Sequence, residues 1–486
     1  MNKKQIIALF LPVYLIVSCE DILEPEPISE ILADSFWQTA DHAEAGISAA
    51  YDGAAASWPV MTNLLSFVNI ASDESQNVPG TSGSRQRVED HQFTAARQGH
   101  IRDLWRSTYQ FIQRTNDVLE NVPNINAPAL DIGNKRSNIL GEAHFIRAYQ
   151  YFYLTRLFNE VPLVLDVTKT VEDEVVNVSR APLPEVFAQI ISDLEQAIAM
   201  LPESYKNATF TRGRATVGAA RALLSKVYLW RGHKAFGEGQ ADFERAATLS
   251  GQVINSPLYE LVPGPSYGDI FEAGKQLTSE SIWELLFETD EVNGNGLQNE
   301  LQPGPIGRLR NVPTQKLLDF FDARPGDLRR PITIKEVEIP EDNNGEPFYT
   351  GKHEQVGLDD PNVVMLRLAD IILVRAEALN EMGMTAEAVA LLNQIRTRAG
   401  IDSVNPSTQE EARTAILDER LVELAFEGKR WHDLNRHGIT VQEVASISAE
   451  NGNLHHVTWP IPQDDRDRNP NLGQNCGYDG GDPCPN

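Results

Sequence analysis

The sequence predicts a mainly α-helical protein, with antiparallel helical hairpins as a scaffold and a loop-rich, irregular lobe carrying a few short strands. Three observations predict this. Apolar residues recur at helical spacing over about 97–256 and again over 363–437. Small residues repeat where two helices would approach closely, as at Gly218, Ala219 and Ala222 and at Ala376, Ala378, Ala386 and Ala388. Between the two helical stretches, residues 257–362 are rich in Pro, Gly and Asn and lose the helical period.

The chain has 486 residues, more than one small core usually serves, and residues 35–486 read as a single large domain. The formal net charge of -27 argues against nucleic acid or an anionic membrane as partner of the folded part, since both repel acid. An acidic surface also keeps an exported protein soluble. No internal apolar run approaches the ~20 residues that span a bilayer.

At the start, Lys3 and Lys4 precede an apolar stretch, Ile6 to Val17, of signal-peptide length. The ending Leu15-Ile16-Val17-Ser18-Cys19 is similar to a bacterial lipobox. That similarity implies that residues 1–18 are a removed signal and that Cys19 carries a lipid; the competing reading is a buried N-terminal helix. Glu20, Asp21 and the Pro-rich EPEPISE make 19–34 a semi-rigid tether.

The first helix is marked by Ala43, Ile47, Ala50 and Tyr51. Trp58 follows it in a loop, either as a flat platform for a pyranose ring or as a hydrophobic plug. Residues 57–96 belong to the irregular lobe, and Ser72 to Gln92 form a polar loop whose Asp73, Asn77, Arg85 and Arg87 are of the types that hydrogen-bond hydroxyls. Helices are expected over Trp105 to Val122, Gly141 to Val164, Pro184 to Met200, Gly213 to Gly232 and Asp242 to Asn255. The aromatics of the second of these, among them Phe145, Tyr149, Phe152 and Tyr153, have the spacing of core packing rather than of a ligand box.

In the lobe, Ile282, Leu285 and Phe287 mark a strand. The loop after it carries Asn293, Asn295, Gln298 and Arg308, and Tyr267 and Tyr349 are further loop aromatics, so these join Trp58 and the polar loop as candidate ligand contacts. Asp327, Arg329 and Arg330 read as structural ion pairs. From Val363 onwards three helices are expected. Gly383 ends the first, Thr385 caps the second, Gly400 ends that, and Ser407 with Glu410 forms a capping box for the third, on whose face Leu417, Leu421, Leu424 and Gly428 lie. These hairpins resemble tetratricopeptide repeats, interrupted by insertions.

Near the end, Asp464, Asp465 and Asp467 read as a solvated acidic turn or a calcium site without EF-hand spacing. Cys476 and Cys484 in the Gly/Pro-rich tail are disulfide candidates if the protein lies outside the cytoplasm. There is no G-x-S-x-G, H-E-x-x-H, Walker A loop or Cys-x-x-Cys pair, and no cofactor or metal is expected. Carboxylates are plentiful, so counting them speaks neither for nor against a glycosidase pair.

RLADIILVRAEALNEMG followed by ILDERLVELAFEGKRWHDLNR resembles the C-terminal signature of the SusD/RagB family. So do the opening helix, the helix around Gly141 to Val164, and the closing Trp459-Pro460-Ile461-Pro462 and Asn469-Pro470-Asn471-Leu472-Gly473-Gln474-Asn475; Cys476 stands where relatives usually have Pro. The resemblance implies a SusD-like fold and an outer-membrane lipoprotein facing outward. It implies a binding protein, not an enzyme, that delivers an oligosaccharide or comparable nutrient to a SusC-like TonB-dependent transporter. An exported tetratricopeptide adaptor for a protein or peptide ligand is the alternative.

Overall fold

The computed structural model describes residues 36–55, 63–81, 83–95, 99–168, 177–287, 297–303, 309–338, 345–354, 361–446, 454–481 and 484. The readings at 1–34, Cys19, Trp58, Asn293, Asn295 and Arg308, and the side chain of Gln298, lie outside them.

Most helices fall where the apolar period placed them, but the one expected over Gly141 to Val164 runs from Lys135 to Phe158, with Val161–Pro162 a strand, and the polar loop over Ser72 to Gln92 contains the helix Gly83–Glu89. Helix α1 is Ala40–Ala55, α2 Gly83–Glu89, α3 Gly99–Asn121, α4 Lys135–Phe158, α5 Leu183–Met200, α6 Ala208–Gly213, α7 Val217–Gly232 and α8 Gln240–Ile254. After the lobe, with α9 at Gln315–Asp322, come α10 Leu368–Glu381, α11 Thr385–Arg398, α12 Gln409–Glu423 and α13 Arg430–His437. Neighbours along the chain pack on one another: α3 on α4, α4 on α5, α5 on α7, α7 on α8, α10 on α11. Helix α8 packs directly on α10. The irregular segment between them is therefore an insertion into a continuous stack of hairpins. Ala219 and Ala222 are buried in the α7 contact, and Gly218 admits Tyr259, whose ring would collide with any Cβ there. Among the described residues no helix is long and apolar enough to cross a membrane.

The strands are short and pair antiparallel: β1 Ser75–Asn77 with β5 Asn311–Pro313, β2 Val161–Pro162 with β3 Arg180–Ala181, β4 Ser281–Leu285 with β8 Val363–Arg367, and β6 Lys335–Glu336 with β7 Phe348–Tyr349. Here the sequence reading is corrected. Val363 to Arg367 is a strand, buried at every position, and the helix begins only at Leu368. A strand buried on both faces has no alternation to distinguish it from helix. The capping box sits one residue later than expected: Thr408 accepts from the Glu411 N–H at 3.2 Å, while Glu411 reaches back to the Thr408 and Ser407 N–H groups. Thr385 is the first helical residue and not the cap; its hydroxyl donates to Asn380. Gly428 lies beyond α12, at φ +67°, with its N–H donated to Asn69 Oδ1.

A buried ion network joins the lobe to the stack. Arg329, from the lobe, pairs with Asp327, Glu419 and Glu423. Arg367 on β8 pairs with Glu280, Glu423 and Glu427, and Arg398 on α11 with Glu280 and Glu423. Arg330 also makes an ion pair, with Asp322 at 3.5 Å nearer the surface. Burial would raise the Glu427 carboxyl, but Arg367 and Lys352 outweigh it and hold it at about 2. Arg398, Arg367 and Arg329 likewise hold Glu423 well below its ordinary range against burial. Glu74, by contrast, is pushed well up by burial and by Asp73.

These shifts have opposite signs in a stability profile. The depressed carboxylates contribute fully above their unfolded value, ~4.3, and that contribution drains as pH falls towards 2. Glu74, raised, costs stability above its folded pKa and releases that cost on protonation. Urea midpoints measured from pH 8 down to 3 are expected to peak on the acid side of neutrality and to fall below about 4.3. A midpoint still rising from pH 4 to pH 3 would contradict the assignment.

The C-terminal segment closes the stack. The ring of the buried Trp459 packs against Phe93 and Phe158, and its backbone N–H donates to the Leu157 carbonyl at 2.8 Å. Gln474 exchanges two hydrogen bonds with the Ile461 backbone, and the Asn475 amide donates to the Phe158 and Trp459 carbonyls. Cys476 and Cys484 form a disulfide, with Cα atoms 4.8 Å apart.

Candidate functional site

The residues nominated in the polar loop serve the interior of the lobe more than its surface. Asp73 is buried, with Arg430 donating to both its oxygens at 2.7 and 2.8 Å and Lys316 adding a third contact. It fastens the start of α13 to the lobe. Asn77, on β1, donates to Gln86 at 3.1 Å and accepts from Thr81 at 3.2 Å. Arg85 is buried against Glu300, with its guanidinium 5.1 Å from the Phe67 ring. Arg87, half-buried on α2, donates to Ser84 at 3.4 Å. Tyr349 is half-buried on β7 and donates to Glu354. Tyr267 corrects the expectation of a loop aromatic available to ligand. It is 1% exposed, its hydroxyl donates to the Glu423 carbonyl at 3.0 Å, and Lys352 and Arg398 cover its ring. Asn77, Arg85 and Arg87 share one corner of the lobe, whereas Asp73 and Tyr267 are structural supports.

A cleft of about 350 Å³ lies elsewhere, between α1, α6 and the end of β4. Glu44, Ser48, Tyr51 and Asp52 line it from α1, Thr209 and Phe210 from α6, and Leu285 and Leu286 from the strand. Asn207 caps α6 by accepting the Phe210 N–H at 2.9 Å, which holds this short helix in place. Phe210 stays 37% exposed, with Lys206 4.8 Å from its ring centroid. Gly213 leaves room for Leu286, which a Cβ would strike.

The polar rim is fixed by Arg214, which donates to Glu44 at 2.6 Å and to Glu142 at 2.8 Å. Burial pushes the Asp52 carboxyl up, with Arg114 opposing. Tyr51 accepts the Ala215 N–H at 2.8 Å. The cleft thus offers a flat apolar ring beside carboxylate, hydroxyl and guanidinium groups, a set that matches the C–H faces and hydroxyls of a sugar. Chain connectivity adds to this. Helix α1 leads from the cleft into the segment with Trp58, and β4 leads through Leu286 into the segment with Asn293 and Asn295. Phe210 itself went unnominated, because it sits in a short Thr-rich helix with no periodic signal.

A larger open groove of about 600 Å³ runs over α5, α7 and α8, but the Tyr228 ring in it is already covered by Arg231 and Arg245. Among the described residues one trio, His233, Glu377 and His437, brings metal-ligand atoms within 4.8 Å of one another. Its carboxylate is committed to a two-pronged pair with Arg436, and both imidazoles hydrogen-bond to the same Oε1. Asp464 and Asp465 pair with Arg102 and Arg106.

Residues 343–478 match the SusD family, and residues 40–229 match a family described as starch-binding associating with outer membrane. The starch-binding protein SusD of Bacteroides thetaiotaomicron is 31% identical, over 69% of this chain and 72% of its own length. SusD-like protein P2 of Formosa agariphila is 28% identical over 89% of this chain and 90% of its own. Among solved structures, a laminarin-binding SusD-like protein superposes with a TM-score of 0.75 at 26% identity, covering 91% of this chain and all of that one. A SusD homologue of Bacteroides thetaiotaomicron superposes with a TM-score of 0.78 at 21% identity, over 93% of this chain and 99% of its own.

Proposed function

The chain belongs to the SusD family, and from that premise we propose that it is a glycan-binding lipoprotein of the outer membrane. Lipidated at Cys19 and facing outward, it captures an oligosaccharide and hands it to a SusC-like TonB-dependent transporter. The observation that carries the reading is the cleft at Phe210, from whose walls the segments with Trp58, Asn293 and Asn295 depart. The ring supports one sugar face, and Glu44 and Asp52 accept from hydroxyls. Arg87, Gln298, Arg308 and Tyr349 then extend binding along a longer chain, while Asn77 and Arg85, both buried, brace that corner of the lobe. The role is capture without chemistry, and neither cofactor nor metal takes part.

Affinity electrophoresis of protein lacking residues 1–19, run against starch, laminarin and other polysaccharides, tests this directly. Retardation on at least one glycan is expected. The Phe210→Ala variant should bind about tenfold more weakly, because removing an apolar contact face of that size forfeits on the order of 1.5 kcal/mol. Equal retardation of both proteins would move the site away from this cleft. Failure of the purified transporter to co-elute with the mature protein in detergent would sink the delivery step. The second reading, an adaptor for a peptide, predicts binding indifferent to Phe210→Ala.

A further inference from the structure

Behind the lobe, α4, α7, α12 and the turn before α13 enclose two adjoining small cavities, each about 20 Å³. That volume suits one water molecule or one monatomic ion. Phe152, Arg156, Lys226 and Lys429 border both. The surrounding charges do not balance. The cations are Arg156, Lys226, Arg420, Lys429 and Arg436. The carboxylates facing them are Asp370, which pairs Lys226 and Arg420, Asp433, which pairs Arg420 and Arg436, and Glu377, which pairs Arg436. Glu427, at the edge of the second cavity, is committed to Arg367 and Lys352. In the neighbouring network Arg329, Lys352, Arg367, Arg396 and Arg398 meet Glu280, Asp327, Glu419, Glu423 and Glu427, five against five. Here five cations meet three carboxylates.

Of the three cations that border both cavities, Lys226 pairs with Asp370, while Arg156 and Lys429 lie in no ion pair among the described residues. Arg156 donates to the Phe152 carbonyl at 3.1 Å and lies over that ring, and Lys429 donates to the Met365 carbonyl at 3.1 Å. His432 faces the first cavity at 3% exposure, and neither of its ring nitrogens has a hydrogen-bond partner among the described residues. Burial, then the neighbouring Lys226, pushes Lys429 down to about 7, and burial takes Arg156 down to about 10. Both shifts come chiefly from burying a cation away from water. We propose that this crevice binds a monovalent inorganic anion of halide size, held by the Arg156 guanidinium, the Lys429 ammonium and an N–H of His432. A chloride there offsets part of the excess charge and ties α4 to the turn before α13.

Thermal unfolding of the intact chain in sodium chloride, sodium bromide and sodium gluconate at matched ionic strength tests the proposal. Chloride and bromide are expected to raise Tm by a few degrees over gluconate, with a rise that saturates, as binding to the folded state requires. The Lys429→Gln variant should lose that increment. A rise that never saturates, or one that persists in the variant, would overturn the proposal, since a general salt effect behaves that way. Should the variant not fold, bromide-soaked crystals of the unmodified protein decide. An anomalous peak between Arg156 and Lys429 supports the site, and bromide found only elsewhere refutes it.

Discussion

Glu423→Ala is expected to lower folding stability by about 3–5 kcal/mol, the cost of breaking a buried ion pair by removing one partner. Glu423 is fully buried and receives Arg329, Arg367 and Arg398 at once. Its loss leaves three guanidiniums to share Glu280, Asp327, Glu419 and Glu427 inside the protein, where solvent cannot make up the difference. The carbonyl that accepts from Tyr267 remains, so the backbone frame stays the same. Arg396→Ala is the control: it removes one of two cations on Glu419, which keeps Arg329, and should cost less. Urea unfolding of the two variants beside the parent protein gives the comparison. A Glu423→Ala loss under about 1 kcal/mol would mean that the network contributes little beyond filling space.

Trp283→Ala should cost a similar ~3–5 kcal/mol, by a different route. Trp283 is 0% exposed on β4, with the rings of Phe145 and Tyr149 edge-on at 5.0 and 5.2 Å. Deleting the indole opens a cavity between the strand and α4 that neither rigid element can collapse to fill. Its ring N–H has no hydrogen-bond partner among the described residues, so Trp283→Phe removes volume without breaking a polar contact. The phenylalanine variant should therefore keep most of the stability. If both substitutions cost the same, packing volume is not what the site needs. Because β4 ends in Leu285 and Leu286 at the cleft wall, the alanine variant should also bind glycan more weakly at temperatures where it remains folded.

The helical stack was legible because its signal is local. Ile371, Val374 and Ala378, or Ala388, Leu392 and Ile395, state a period within one helix, and Gly383 and Gly400 mark its ends with left-handed backbone. The misreadings have local causes too. Val363 to Arg367 is an unbroken run of buried residues, which fits helix and strand equally. Ser407 and Thr408 stand before adjacent glutamates, so two capping boxes can be written one residue apart.

The site was harder for a different reason. Asp73 and Arg85 sit in a polar loop and look exposed, yet their partners Arg430 and Glu300 lie hundreds of residues away along the chain. Tyr267 is buried by contacts with Glu423 and Lys352 that no local pattern announces. Phe210 was overlooked for the converse reason: a lone aromatic in a short helix carries no period, and only the fold leaves its ring in the open.

The closure made by Trp459, Gln474 and Asn475 sets a condition on biosynthesis. Leu157 and Phe158, at the end of α4, present carbonyls whose partners, Trp459 and Asn475, lie hundreds of residues further along the chain. Helices made early can pair, but the ribosome must pass Asn475 before that end of the stack is sealed. A product truncated before Trp459 would leave that seam open however well its earlier helices had formed.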